Sequence, residues 1–377
     1  MQDKFCHKIN KITIDEQNQE FCISHDNGIK TFCLDDFKEK ETSDNIDYKL
    51  GSISLAHLIP IYEDLVAFIG SPKNIDFPPN TLVILNIKSK KIILKKEFNK
   101  EITNFKCASS FILIAFGPSL DIYFFDKEKN ELELKEEHKI ETNSLFECWA
   151  EKQDEILHNL YLAYPLKYDL IIYYYTIKEW SYGNKLVIKS PVNIIQNLFY
   201  VKKINQIFIS DETAKYIYGF DIDNGAKKLC LYRGFNPGFI TSVVLLNDGK
   251  YLAVNNINRT IHIYNLDINA NAFSLSNVVN RIFYDIQEIY PKQRIYYNDI
   301  FVEEEGSYYE RDFTEKGAML YSDNNDELRI ITYNGFAIKV KIDFENGSYK
   351  IDKKDEYVQK KIVKLTLCSS GLDFGNQ

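Results

Sequence analysis

The sequence predicts an all-β fold of the propeller or barrel type. Three observations in its 377 residues carry this. Short apolar runs with period-two alternation are separated by tight-turn residues, the pattern of an antiparallel meander. The runs recur at near-even spacing, which suits a propeller or barrel. Aromatic content is high, with 26 Tyr and 25 Phe, the residue types that pack well on pleated surfaces. The pattern is clearest over residues 206–266. Runs at 217–220, 240–246, 251–254 and 261–266 are divided by Asp223-Asn224-Gly225, by Asp248-Gly249 and by the polar stretch 255–260.

From the N-terminus, strands are expected at 5–14, 20–24 and 30–34, broken by Asp26-Asn27-Gly28. The charged stretch 35–47 reads as a loop. An apolar stretch at 58–70 turns at Ser71-Pro72, and Pro78-Pro79 makes a rigid turn before strands at 81–87, 91–98 and 102–106. A pair at 111–116 and 120–125 crosses Gly117-Pro118. Leu132 and Leu134 alternate within the charged stretch 126–137 as in a surface strand. Runs at 145–149, 160–165, 170–175, 185–188, 194–201 and 206–210 continue the meander. Tyr173, Tyr174 and Tyr175 read as strand packing, since no basic groove surrounds them as in a base-stacking platform. The last strands are expected at 320–321, 327–333 and 337–342, with a strand-like run at 361–367.

Residues 267–311 interrupt this rhythm. Val278, Val279, Ile282, Phe283, Ile286, Ile289 and Tyr290 recur at helical spacing, with Asn280, Arg281, Asp285, Gln287 and Glu288 opposite. This predicts an amphipathic helix over 278–290. The residues alone leave open whether its apolar face packs on the body of the protein or meets a membrane.

Composition limits the function. The formal net charge of -8 argues against a general nucleic-acid binder and against membrane attachment by bulk charge. Seven cysteines stand singly with no CxxC pair, which predicts reduced thiols in a cytosolic protein. The N-terminus lacks the apolar core of a secretory signal, and no run of 18 apolar residues exists. No GxSxG elbow, phosphate-cradling glycine loop or HExxH occurs, so an enzyme is not expected, nor a metal or cofactor. The polar constellation that remains is small. Arg233 stands before Gly234 between two strands, and Thr260 and His262 enter the next strand pair. A guanidinium fork, a hydroxyl and an imidazole at strand mouths suit one phosphate group. The plainer alternative is a surface contact for Arg233 and packing for His262.

These residues carry a resemblance. Leu231-Tyr232-Arg233-Gly234 is similar to the Phe/Leu-Arg-Arg-Gly motif of the PROPPIN or WIPI family of phosphoinositide-binding autophagy propellers. Asn255-Asn256 followed by Thr260-x-His262, the Phe77-Pro78-Pro79-Asn80 landmark, the early 22–33 segment and the closing 327–342 segment keep the same order. The resemblance covers roughly the whole chain. It implies a seven-bladed WD40-like propeller over 1–366, a tail at 367–377, and a long membrane-facing insert in blade 6.

It also implies a monomeric adaptor, peripheral to preautophagosomal, endosomal or vacuolar/lysosomal membranes. The adaptor would read phosphatidylinositol 3-phosphate or the 3,5-bisphosphate and recruit autophagy proteins. One pocket would use Arg233, Thr260 and His262, with Asn255 and Asn256 in place of a small hydroxyl pair. The other pocket is degraded: Tyr232 and Tyr218 stand where the family carries arginine, and Lys215 where it carries threonine. Val278, Val279, Ile282, Phe283 and Ile286 would enter the bilayer. The alternative is a protein-interaction scaffold on the same propeller with little or no lipid binding.

Overall fold

The computed structural model describes residues 9–42, 50–141, 144–153, 156–257, 260–266, 288–289, 291, 293–296, 318–322, 327–333, 337–344 and 348–351. Its strands form seven sheets, each built on four antiparallel strands, arranged as the blades of a propeller. Blade 1 holds β1 (Ile9–Asp15), β2 (Glu20–His25), β3 (Gly28–Cys33) and β4 (Glu39–Thr42). Blade 2 holds β5 (Ile53–Ile59), β6 (Tyr62–Gly70), β7 (Thr81–Asn86) and β8 (Lys91–Glu97). Blade 3 holds β9 (Asn104–Ala108), β10 (Phe111–Ala115), β11 (Ser119–Asp126) and β12 (Glu131–Lys139). Blade 4 holds β13 (Glu147–Gln153), β14 (Ile156–Leu166), β15 (Asp169–Thr176) and β16 (Ser181–Lys189).

Blade 5 holds β17 (Asn197–Val201), β18 (Gln206–Ser210), β19 (Tyr216–Asp221) and β20 (Lys227–Tyr232). Blade 6 begins with β21 (Ile240–Leu246), β22 (Tyr251–Asn256) and β23 (Thr260–Asn265). Two short strands follow, β24 (Glu288–Ile289) and β25 (Gln293–Tyr296). Blade 7 holds β26 (Ala318–Tyr321), β27 (Glu327–Thr332), β28 (Ala337–Asp343) and β29 (Ser348–Ile351).

The first strands of successive blades lie against one another, from β1 beside β5 round to β21 beside β26, so they form the inner ring. The core lies between blades rather than at one centre. One buried cluster joins Ile84 of blade 2 to Ile112 and Phe125 of blade 3. Another joins Leu162 and Tyr175 of blade 4 to Leu113 and Ile122 of blade 3. Because both faces of the inner strands are covered, β7 reads TLVILN and β10 reads FILIA, near-continuous apolar runs. Outer strands have less to bury: β8 reads KIILKKE and none of its residues is fully buried.

Closure joins blade 1 to blade 7. Ile12, Phe21 and Phe32 pack with Tyr321, Ile331 and Ala337. Tyr321 Oη donates to Gln19, and Arg329 Nη1 reaches Asp35 at 3.0 Å. Among the described residues each of these two blades is built from its own consecutive strands, and no strand is exchanged between the chain ends.

The structure refines two boundaries. The apolar stretch at 58–70 is two strands, β5 and β6, reversed at Pro60-Ile61. The charged stretch at 35–47 contains β4, an outer strand with no apolar alternation to announce it.

Candidate functional site

The seam between blades 5 and 6 gathers the residues singled out by the sequence. β20 ends at Tyr232, and the chain leaves it through Gly234 at φ 131°, a conformation that side-chain-bearing residues rarely adopt. Arg233 therefore sits at a sharp exit, and its side chain turns inward, only 3% exposed. Its Nε donates to Ala214 O at 2.8 Å, and Nη2 donates to Thr213 O at 2.7 Å and to Asn236 O. The backbone adds two more links, from Arg233 N–H to Lys215 O at 2.9 Å and from Gly238 N–H to Thr213 O at 3.2 Å.

The accepting loop is shaped in turn by Asp211. Its Oδ1 accepts from Thr213 N–H at 3.0 Å, from the Thr213 hydroxyl at 2.7 Å and from Ala214 N–H at 2.9 Å. Burial lowers the guanidinium pKa from its ordinary value while Tyr264 and Asp211 pull it up, and it stays charged. The sequence suggested an open strand-mouth clamp. The structure shows a staple, because the turn carbonyls of Thr213, Ala214 and Asn236 lie in reach of the guanidinium and outside any strand ladder.

Strands β22 and β23 carry the other residues. Period two splits the two asparagines. Asn255 reaches toward blade 7: its Nδ2 donates to Thr241 Oγ1 at 2.6 Å and to Ala318 O at 2.8 Å. Asn256 lies on the opposite face with Leu252 and Val254, toward blade 5, and both asparagines are fully buried. The two amides therefore do not share one pocket as expected. Thr260 pairs across with Asn256 and is half-buried. His262 is 5% exposed and stacks on Tyr264 at 6.4 Å, and the Tyr264 hydroxyl donates to Tyr232 O at 3.3 Å.

Lys215, Tyr218 and Tyr232 do come together. Tyr216 and Tyr232 are cross-strand partners with rings 5.4 Å apart, and Tyr218 lies 6.2 Å from Tyr216. Lys215 Nζ sits 4.7 Å from the Phe235 ring and 5.2 Å from Tyr216. A strip of aromatics with an ammonium over it thus stands at the positions that the resemblance reads as a degraded pocket. Sequence reasoning missed Tyr216 and Phe235. The Tyr216-x-Tyr218 alternation was the available signal for the first; the pairing of Phe235 with Lys215 had none.

Residues Val278, Val279, Ile282, Phe283 and Ile286 lie outside the described residues. The end of the expected helix is different: residues 288–289 form β24, a parallel addition to the edge of blade 5 opposite Cys230 and Leu231. Ile289 is 4% exposed and packs with Val254 and Tyr264, so the propeller body takes this apolar side chain. β25 is the fourth strand of blade 6, paired with β23, so it is part of the blade although it falls within the 267–311 interruption.

The chain is thus a seven-bladed β-propeller with a tightly stapled seam between its fifth and sixth blades. The same architecture appears in solved seven-bladed propellers of the PROPPIN and WD40 type. Kluyveromyces lactis Hsv2 superposes with a TM-score of 0.65 at 14% identity, over 92% of this chain and 98% of that one. KlAtg21, solved in complex with the coiled-coil of AgAtg16, gives 0.61 at 16% identity, over 92% and 98%. Saccharomyces cerevisiae Sqt1 gives 0.59 at 11% identity, over 92% and 85%. In sequence, the SVP1-like protein 2 of Emericella nidulans is 23% identical over 208 residues. That match spans 55% of this chain and 61% of the length of the relative. No family model matches the chain.

Proposed function

We propose that this chain is a divergent PROPPIN-type propeller that serves autophagy or a related trafficking step as a protein-binding adaptor, with 3-phosphoinositide recognition reduced to a remnant. The observation that carries this reading is the engagement of Arg233. A guanidinium whose Nε and Nη2 are spent on three backbone carbonyls has lost most of the rigid fork that would grip a phosphate. Tyrosines at 218 and 232 remove the second basic cluster. The fold likeness to Hsv2 and Atg21 supports the adaptor role, and the Atg21 complex points to partners in the autophagy machinery. The protein would act from the cytosol, peripheral to preautophagosomal, endosomal or vacuolar/lysosomal membranes.

A second reading keeps one weak lipid site. It is favoured by Thr260 and His262, which alternation places on the blade 5 side of β23, and by Arg233 Nη1, which has no hydrogen bond among the described residues. Liposome flotation separates the two. Vesicles with phosphatidylinositol 3-phosphate, with the 3,5-bisphosphate or with neither should recover the same fraction of wild-type protein. A several-fold gain on either phosphoinositide, lost in Thr260→Val and His262→Ala, would replace the first reading by the second.

A further inference from the structure

The seam between blades 3 and 4 encloses a histidine. His138, on the outer strand β12 of blade 3, is buried against three tyrosines of blade 4. The Tyr175 hydroxyl meets its Nε2, and the Tyr164 hydroxyl meets its Nδ1 at 3.5 Å. The Tyr173 ring packs against the imidazole at 4.7 Å. Tyr164 is buried and Tyr175 is only 1% exposed.

A strained turn clamps the same seam. Trp180, between β15 and β16, has φ 42°, a backbone conformation that bulky residues rarely adopt. Its ring stacks on Tyr175 of its own blade at 5.1 Å and on Phe111 of blade 3 at 5.4 Å. Its Nε1 donates to Lys135 O of blade 3 at 3.2 Å. Contacts across the seam therefore hold the turn in its unfavourable conformation. Tyr175 belongs to both groups: its ring carries the indole and its hydroxyl meets the imidazole.

The ring chemistry makes this arrangement sensitive to one proton. A neutral imidazole has one donor and one acceptor, so one phenol donates to it and the other accepts. An imidazolium only donates. The phenol that had donated must turn its O–H away, and a charge has entered a buried site. Burial lowers the His138 pKa from its ordinary value; Glu136, two positions back on β12, raises it, and Lys185 of β16 lowers it. Lys185 Nζ stands 5.5 Å from the Tyr173 ring. Asp121 and Glu137 are cross-strand partners on the other face of blade 3, where Asp121 accepts from the Tyr123 hydroxyl at 3.3 Å.

We infer that the Trp180 turn is an acid-released latch between blades 3 and 4. Neutral His138 keeps Tyr175 in the stack that holds Trp180 closed on blade 3, and protonation frees the turn and uncovers the rings of Phe111 and Trp180 at the rim. The latch goes beyond the proposed function, because it needs neither a lipid nor an autophagy partner.

Native-state hydrogen exchange on the full chain tests this. Ile177 N–H donates to His158 O at 2.9 Å, and Trp180 N–H donates to Ile177 O at 3.3 Å. After correction for intrinsic exchange, opening at these two amides should rise about tenfold per pH unit as pH falls below about 6.5. Leu320 N–H, which donates to Ser242 Oγ at 2.9 Å in the seam between blades 6 and 7, should stay protected over the same range. His138→Gln keeps a donor and an acceptor but does not titrate, and Tyr175→Phe keeps the stack but removes the hydroxyl. Opening in both should be independent of pH, with thermal unfolding as the check that each variant folds. Wild-type opening that is equal at pH 7 and pH 5.5, that is matched at Leu320, or that keeps its pH dependence in a folded variant would each overturn the latch. The comparison of the two seams in wild type decides the matter even where a variant does not fold.

Discussion

Replacing Arg233 by alanine removes three donor contacts at once. The bonds to Ala214, Thr213 and Asn236 come from a charged group in a site 3% exposed to solvent. Hydrogen bonds of this kind contribute about 1.5–3 kcal/mol each. The carbonyls belong to turns, so water can reach them once the side chain is gone and recover part of the loss. The expected net destabilisation is about 3 kcal/mol. Arg233→Lys should restore no more than about a third of that, since a single ammonium cannot span the same carbonyls. Urea unfolding reads the change as a lowered midpoint at unchanged slope. Hydrogen exchange reads it locally, because the amides of Arg233 and Gly238 bond to the same 213–215 loop. A variant within about 0.5 kcal/mol of wild type, with both amides still protected, would refute the staple and return the guanidinium to ligand binding.

Other consequences follow from the same contacts. Asn255→Ala should destabilise by about 1–2 kcal/mol, since it removes one buried bond across the seam to Ala318 O of blade 7 and one to Thr241 Oγ1 within blade 6, while Thr241 Oγ1 still donates to Ala318 O. Equal stability in a denaturant titration would show that the seam does not depend on it. His57 is held down to about 3 by burial first and by Lys106 and Lys11 next. Its neutral form is favoured in the fold, so the stability it contributes is present above the unfolded value near 6.5 and is lost as pH falls below it. Between pH 6.5 and about 4.5, wild type should lose roughly 1–2 kcal/mol more than His57→Leu. Parallel pH profiles of the two proteins would contradict this.

Much of the fold was legible because propeller strands advertise their burial. β7, β10, β21 and β22 are covered by neighbouring blades and carry apolar residues along their length. Asp-Gly and Asn-Gly pairs mark several reversals between strands. Strands such as β4 and much of β8 were harder to read, because an outer strand needs backbone pairing more than apolar side chains. The resemblance supplied the number of blades, which no local pattern contains.

The sequence by itself determined which residue types reach the fifth and sixth blades: an arginine before a glycine, two adjacent asparagines, a threonine and a histidine two apart, and a greasy segment after them. The tertiary structure decided what each does. Asn255 meets a carbonyl 63 positions away in blade 7, Arg233 meets loops 19 and 20 positions before it, and Ile289 meets the edge of blade 5. A strand's own alternation fixes which of two faces a side chain takes, but the groups waiting on that face come from another blade. Whether a cation stays open to a ligand or is consumed by backbone carbonyls depends on how a distant loop and its own exit loop close around it.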